Sequence, residues 1–232
     1  MAGYTISDKL MAAAIEDRGT PHPWPVIPAD RTALVVIYMQ NYFMAPSSQG
    51  EAETARDIVP SINRLAAAMR QRGGRVVWVQ TTTTDTRHSW SVRHELLSPE
   101  RAEIRLQAME FAAEGFALWP TLDVRPEDVS VVKTLYSAFA PGSSDLPARL
   151  KSEGVEYVLI AGTYTNVCCQ ASAQDAMMLN FRTVMVPDCN AASSPEAHTA
   201  ALDNFFEFFG DVLNADEVIA RLQLSKTKAA AA

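Results

Sequence analysis

The sequence predicts an α/β fold in which a mostly parallel β-sheet is covered by helices on both faces. The first observation is that short apolar runs, typical of strands buried on both sides, alternate with segments of helical periodicity. The second is that glycines at Gly73, Gly74 and Gly154 follow helical segments, as expected at helix C-termini. The chain of 232 residues is long enough for one sizeable core and does not require two domains.

The N-terminal thirty residues are expected to form a weak helix around 9–17 and an extended arm, because prolines stand at 21, 23, 25 and 28. Apolar runs then predict five strands, and the segments between and after them predict helices. The predicted strands are 33–38, 76–80, 129–132, 157–161 and 183–186, and the predicted helices are 51–72, 146–152, 166–180, 195–209 and 215–222. Residues 31–222 would form a single domain, and the low-complexity segment 223–232 is expected to be a disordered tail.

Composition and charge exclude several classes of function. The net charge of −7 disfavours a nucleic-acid partner, which needs a basic surface. No apolar run is long enough to predict a membrane span, and the N-terminus lacks the pattern of a signal peptide, so a cytoplasmic location is expected. The four histidines lie outside CxxC and HExxH spacings, so neither a metal site nor a cofactor is predicted.

The three cysteines are Cys168, Cys169 and Cys189, an odd number that fits reduced thiols better than a disulfide framework. Cys168 follows an apolar run and Gly162, at the predicted start of a helix. Backbone N–H groups and the helix dipole at such a position favour a reactive thiolate. The alternative is a structural cysteine, because free cysteines are commonly buried. A redox pair of Cys168 and Cys169 is disfavoured, since adjacent cysteines form strained bridges.

Three reactive or polar side chains are predicted at the carboxyl ends of strands, where open parallel sheets bind ligands. Tyr38 ends the first run, Lys133 ends the third, and Cys168 follows the fourth. Each has a simpler interpretation, as an interfacial aromatic, a surface lysine and a core thiol. Their shared edge of the sheet favours a common site.

Four segments give the chain a resemblance to the isochorismatase-like cysteine hydrolases over roughly residues 32–213. They are ALVVIYMQNYF at 33–43, VVKTLYSAF at 131–139, AGTYTNVCCQASAQDAMMLNF at 161–181 and, more weakly, VMVPDCNAA at 184–192. The resemblance implies a parallel six-stranded α/β sheet and a small-molecule substrate. It also implies a homo-oligomer, either a dimer or a tetramer.

The resemblance implies a catalytic set of Asp, Lys and Cys, in which Lys133 and Cys168 occupy the last two positions. In such enzymes the Cys attacks an amide-type carbonyl, the Asp takes the thiol proton, and the Lys holds the Asp anionic. Backbone N–H groups of Tyr164 or Thr165 and of Cys168 would form the oxyanion hole. A cis peptide bond is expected at Thr163–Tyr164.

Tyr38 departs from this pattern, because it stands where the family has Asp. A phenol with a pKa of about 10 is a poor base for a thiol with a pKa of about 8.5. Three accounts stay open: a deliberately disabled variant, a natural pseudoenzyme that binds a small molecule, or a working hydrolase that activates Cys168 by other means.

The amidohydrolase branch of the family fits the retained thiol best, which makes small amides, ureido acids and N-carbamoyl compounds the candidate substrates. The vinyl-ether branch relies on the missing carboxylate and is the alternative.

Segment 81–119 either caps the site or is a peripheral insertion. The candidate substrate-binding residues are Gln40, Phe43, Gln80, Arg87, Trp90, Trp119 and Thr163, with Arg87 a possible partner of a substrate carboxylate or else a solvated charge.

Overall fold

The computed structural model describes residues 4–223, and six of its strands form one wholly parallel sheet. The strands are β1 Ile27–Pro28, β2 Thr32–Ile37, β3 Arg75–Thr81, β4 Val129–Lys133, β5 Tyr157–Thr163, β6 Arg182–Ala191, β7 Asp211–Val212 and β8 Leu222–Gln223. Their order across the sheet is β4-β3-β2-β5-β6-β7, while β1 and β8 pair separately in parallel.

Helices cover both faces of this sheet, which confirms the predicted three-layer α/β/α architecture. They are α1 Asp8–Arg18, α2 Asn41–Met44, α3 Val59–Arg72, α4 Thr86–Ser89, α5 Ser91–Glu95, α6 Pro99–Ala108, α7 Leu146–Ser152, α8 Gln170–Met178, α9 Pro195–Phe208 and α10 Ala215–Arg221. Strand β2 is buried at every position, and its side chains alternate between two apolar clusters. One cluster contains residues of α7, α8 and α9, and the other contains residues of α3 and α10.

The strand order reverses direction beside β2, and this reversal positions the site. The chain passes from β2 through β3 to β4 on one side, and then returns to place β5 on the other side of β2. At such a switch point the loops after the two central strands diverge and leave a crevice at the carboxyl edge of the sheet. The loops after β2 and β5 carry Tyr38 and Cys168.

The helix predicted over 51–72 is shorter in the structure. Residues Glu53–Arg56 form a 3-10 turn, and α3 begins only at Val59. Pro60 explains the boundary, because proline lacks an N–H and fits only the first turn of a helix. The predicted C-terminal glycine signal is confirmed: Gly73 has a φ of 85°, and its N–H donates to the carbonyls of Met69 and Arg70.

Three two-residue strands escaped the sequence analysis, because two residues carry no detectable periodicity. They are β1, β7 and β8. Strand β6 also continues past the predicted 183–186, with a register irregularity opposite Ile160 and Gly162. Gln223, predicted to lie in the tail, pairs with Pro28, whereas the rest of that predicted tail, 224–232, lies outside the described residues.

Gly162 is expected to tolerate no side chain. It lies in β5 with a φ of 116°, and a Cβ added there would stand 1.9 Å from the Ile37 carbonyl oxygen of β2. Because the obstacle is backbone, Gly162→Ala should lower the free energy of unfolding by roughly 3 kcal/mol or more, measured by urea unfolding. Gly142→Ala is the matched control: its φ is 77° but nothing lies within 4 Å of the added Cβ. The control should lose only about 1 kcal/mol, and equal losses would contradict the account.

Candidate active site

Tyr38, Lys133 and Cys168 come together at the carboxyl edge of the sheet. Tyr38 follows β2, Lys133 ends β4, and Cys168 lies in the segment after β5. The Nζ atom of Lys133 donates a 2.7 Å hydrogen bond to the Tyr38 hydroxyl oxygen. Tyr38 and Cys168 both line one cavity, so a phenol, an ammonium and a thiol form a continuous cluster.

Lys133 is fully buried and has no carboxylate partner among residues 4–223. Its Nζ also donates to the Leu135 carbonyl at 2.5 Å, and it lies 3.9 Å from the centroid of the Tyr38 ring. Desolvation lowers the pKa of Lys133 from 10.5 to about 8, although the neighbouring thiols Cys168 and Cys169 act in the opposite direction. The two hydrogen bonds therefore compensate the burial of this ammonium only in part.

Tyr38 does not continue strand β2, contrary to the prediction that it ends the first strand. The strand stops at Ile37, and Tyr38 has a φ of 59°, in the left-handed region that non-glycine residues seldom adopt. Its ring stacks on Phe43, with centroids 4.4 Å apart and planes 7° from parallel. Burial, with the charge on Cys168 as the next cause, raises the pKa of Tyr38 well above 10. The phenol of Tyr38 is therefore protonated at neutral pH.

Cys168 lies in a single π-helical turn, Thr165–Cys169, directly before α8. The expected thiolate stabilisation at this position is outweighed, because burial raises the pKa of the Cys168 thiol. Four interactions counteract burial in part: the charge of Lys133, a hydrogen bond with the Tyr38 hydroxyl, the charge of Arg105 and a backbone N–H of Tyr164. The thiol is consequently the dominant form at neutral pH.

The loop before Cys168 is anchored through the side chains of Thr163, Tyr164 and Thr165. The Thr163–Tyr164 peptide bond is cis. The Thr163 hydroxyl donates to the Ala191 carbonyl at 3.2 Å, so this side chain is buried against β6 and does not line the cavity. The Tyr164 hydroxyl donates to the Gly50 carbonyl at 2.6 Å, while the Thr165 side chain faces His198, with its Oγ1 2.9 Å from the ring Nδ1.

The cavity has a volume of about 200 Å³ and combines aromatic walls with three arginines. Its lining residues are Tyr38, Tyr42, Phe43, Gln49, Gly50, Arg93, Leu97, Arg101, Arg105, Tyr136, Tyr164, Val167 and Cys168. A larger cavity, of about 510 Å³, is lined by parts of the N-terminal arm, α8 and α9, and it contains none of the three clustered side chains.

Of the predicted substrate-binding residues, Phe43 lines the cavity, whereas Gln40 and Gln80 brace a loop instead. Their amide nitrogens both donate to the Phe116 carbonyl, at 2.8 and 2.9 Å. Gln40 is also paired through both ends of its amide with the backbone of Thr81. Their hydrogen-bonding groups are thus used within the fold.

Trp90, Trp119 and Arg87 also lie outside the cavity. Trp90 packs edge-on against Tyr136, a lining residue, with ring centroids 4.7 Å apart. Trp119 lines a separate cavity of about 340 Å³. Arg87 donates to Glu103 at 2.8 Å, and its side chain is 59% exposed, which corresponds to the solvated-charge alternative.

Segment 81–119 does contribute to the site, through residues that the sequence analysis missed. Arg93 lies in α5, Arg101 and Arg105 lie in α6, and Leu97 lies between these helices. The four residues follow one another at intervals of four, which is the spacing of one helix face. That regular interval was a signal available in the sequence.

Residues 4–223 contain neither a metal centre nor a membrane-spanning helix. No group of three or more His, Cys, Asp or Glu side chains there is arranged to hold a metal ion. Within the same residues, no helix has the length and apolar character needed to cross a bilayer.

Comparisons with known proteins show the family to which the chain belongs. The family model for the Isochorismatase domain matches residues 32–217. A probable inactive nicotinamidase from Arabidopsis thaliana is 33% identical over 172 residues, 73% of this chain and 85% of the relative. A ureidoacrylate amidohydrolase from Pseudomonas syringae is 28% identical over 232 residues, 94% of this chain and 93% of the relative. A cysteine hydrolase structure from Pseudomonas syringae pv. phaseolicola superposes with a TM-score of 0.76 at 26% identity, covering 86% of this chain and 95% of that one.

Lys133→Met is expected to remove one component of the pH dependence of stability. The pKa of Lys133 is about 8 in the folded protein and 10.5 for an ordinary lysine, so between these values the unfolded chain binds the additional proton. Its contribution to the free energy of unfolding should therefore rise with pH in that window, by up to about 1.4 kcal/mol per pH unit. Below pH 8 the ammonium is charged in both states and contributes no slope.

Urea unfolding from pH 7 to pH 10 checks this by giving the slope of the free energy of unfolding against pH for each protein. The contribution of Lys133 is the slope of the parent minus the slope of Lys133→Met. Lys151→Met, at an exposed lysine of α7, is the control and should retain the parent slope. Identical slopes for the parent and Lys133→Met would contradict the lowered pKa.

Proposed function

We propose that this chain, which belongs to the isochorismatase-like hydrolases, is a cysteine hydrolase. It would cleave a C–N bond in a small amide, ureido or N-carbamoyl compound. Its turnover is impaired by Tyr38. One observation carries the proposal: the Lys133–Tyr38–Cys168 cluster opens into a cavity of about 200 Å³ that is sized for a small molecule. The relative that is a ureidoacrylate amidohydrolase supports this class of bond.

In the proposed reaction, the Cys168 sulfur attacks the carbonyl carbon and forms a tetrahedral intermediate. The backbone N–H of Tyr164, already directed at the sulfur, is one candidate donor to the developing oxyanion, and the N–H of Cys168 is another. Collapse of the intermediate breaks the C–N bond, and the leaving amine takes the proton that the thiol gave up when its sulfur attacked. Water then attacks the thioester, which releases the acid and restores the thiol.

Tyr38 impairs the first step because it cannot accept the proton of the thiol. Its pKa is raised well above 10 by burial, and its oxygen already accepts a hydrogen bond from Lys133. Lys133 is no substitute. Its ammonium, with a pKa of about 8, is a stronger acid than the buried thiol, so the neutral amine would not take the proton of the thiol. A general base in this position typically contributes about 10² to 10⁴-fold in rate.

The second candidate function is a binding protein that has lost catalysis. The protonated phenol of Tyr38 favours it, and so does the similarity to a probable inactive nicotinamidase. The vinyl-ether reaction is disfavoured, because it relies on the carboxylate that Tyr38 replaces. The cytoplasmic location and the homo-oligomer stay predictions.

Tyr38→Asp is expected to raise turnover of small amides and N-carbamoyl acids by at least about 100-fold, because a carboxylate beside Lys133 can accept the thiol proton. Amine or ammonia release, measured against the parent chain, checks this. Tyr38→Asn is the matched control, since it vacates the same space without supplying a base. Cys168→Ala in the Tyr38→Asp background should abolish the gain.

A gain equal in Tyr38→Asn and Tyr38→Asp would show that the ring merely obstructs the cavity. No gain in a folded Tyr38→Asp protein that still binds the compounds would favour the binding protein.

A further inference from the structure

We infer that Arg105, flanked by Arg93 and Arg101, binds a carboxylate group of the substrate. The site would then select small amides that carry a carboxylate, such as ureido acids, over neutral amides of the same size. This inference rests on the proposed function, because it names the substrate class for the same cavity.

Arg105 is the first reason, because its charge is buried without compensation. Its side chain lines the cavity while the residue is only 6% exposed, and its Nε has no hydrogen-bond partner in the described part of the chain. Within residues 4–223, the guanidinium makes neither a hydrogen bond nor an ion pair, and its Cζ lies 5.7 Å from the centroid of the Tyr42 ring. An unpaired buried charge destabilises a fold. A ligand anion would supply the missing partner.

The neighbouring arginines are the second reason. None of the ion pairs in the described part of the chain includes Arg93, Arg101 or Arg105. Arg93 also has a buried Nε that finds no hydrogen-bond partner among the residues that the structure describes. Arg101 and Arg105 are four residues apart on α6, where like charges repel and weaken a helix. Helix stability therefore does not explain the placement of these charges on one face.

The cavity lining carries positive charge within an acidic protein. The chain carries a net charge of −7, but no Asp or Glu is among the cavity-lining residues. The positive charge also acts on His94, the residue after Arg93. Desolvation is the main cause that lowers the pKa of His94, and the charge of Arg105 is the second. A neutral amide would leave the charge of these arginines uncompensated.

The guanidinium group selects a carboxylate in particular, because its planar N–H pairs match the two oxygens of that group. Cys168 lines the same cavity. A ligand held at Arg105 by its carboxylate would thus extend its amide or ureido carbonyl within the space that the thiol shares. Arg87, the arginine selected from the sequence, is unsuited to this task because Glu103 already neutralises it on the surface.

Calorimetric titration of the full chain with 3-ureidopropanoate and 3-ureidopropanamide tests the inference, since these compounds differ only in carboxylate against carboxamide. The acid should bind at least about tenfold more tightly. Arg105→Gln should remove this preference by weakening acid binding alone, and Arg105→Lys, which keeps the charge but not the planar fork, should retain part of it. Arg149→Gln is the matched control, at an exposed arginine paired with Glu153, and should change neither affinity.

Thermal unfolding of Arg105→Gln provides a check on folding. Its midpoint should equal or exceed that of the parent, because the substitution removes an unpaired buried charge. If this variant does not fold, Arg105→Lys and Arg101→Gln carry the comparison. A role of Arg105 in activating Cys168 alone would leave the ratio of acid to amide affinity unchanged, and that result overturns the inference.

Equal binding of acid and amide, or no binding of the acid, would also overturn it. Failure of the proposed function is distinguishable. Turnover of neutral amides by Tyr38→Asp without a preference for acids would retain the hydrolase and refute the carboxylate site. Selective binding of the acid by a chain whose Tyr38→Asp variant remains inactive would refute the hydrolase and retain the carboxylate site.

Discussion

The hydrogen bond from the Lys133 ammonium to the Tyr38 hydroxyl governs the chemistry of this site. Both side chains are buried, so the ammonium cannot be solvated by water and must rely on a neutral phenol oxygen and one carbonyl. A neutral acceptor stabilises an ammonium less than a carboxylate does. The pKa of Lys133 therefore falls, while burial raises the pKa values of Tyr38 and Cys168. All three shifts favour uncharged side chains, whereas cysteine catalysis needs a thiolate.

The fold maintains this cluster through close backbone packing at the switch point of the sheet. Gly162 brings β5 against β2 closely enough that no Cβ fits, and this places the Cys168 turn beside the residue that follows β2. Tyr38 is held in a left-handed backbone conformation and by stacking on Phe43. The arginines of α5 and α6 form another wall of the cavity. Rigid strands thus position the reacting groups, and the helices α5 and α6 carry the arginines that line the cavity.

The sequence was sufficient to predict the layers of the fold and the cluster of Tyr38, Lys133 and Cys168, because strand periodicity and the carboxyl-edge rule are local signals. It could not predict the protonation of Cys168, since desolvation depends on everything packed around the sulfur. Gln40 and Arg87 were predicted to bind substrate for the same reason: the sequence does not show which polar groups already have partners. In the structure, Gln40 donates to the Phe116 carbonyl and Arg87 donates to Glu103. The partner of Arg105, in contrast, is absent from the described chain, although the four-residue interval was visible.

The pH dependence of Cys168 alkylation by iodoacetamide, followed by peptide mass spectrometry, tests the central claim most directly. The account predicts slow alkylation at neutral pH and an apparent thiol pKa above the ordinary value of about 8.5, because no group in the cluster accepts the proton. In Tyr38→Asp the same measurement should show faster alkylation at neutral pH. A rapidly alkylated Cys168 with a depressed pKa in the parent chain would contradict the account, since the Tyr38–Lys133 pair would then activate the thiol.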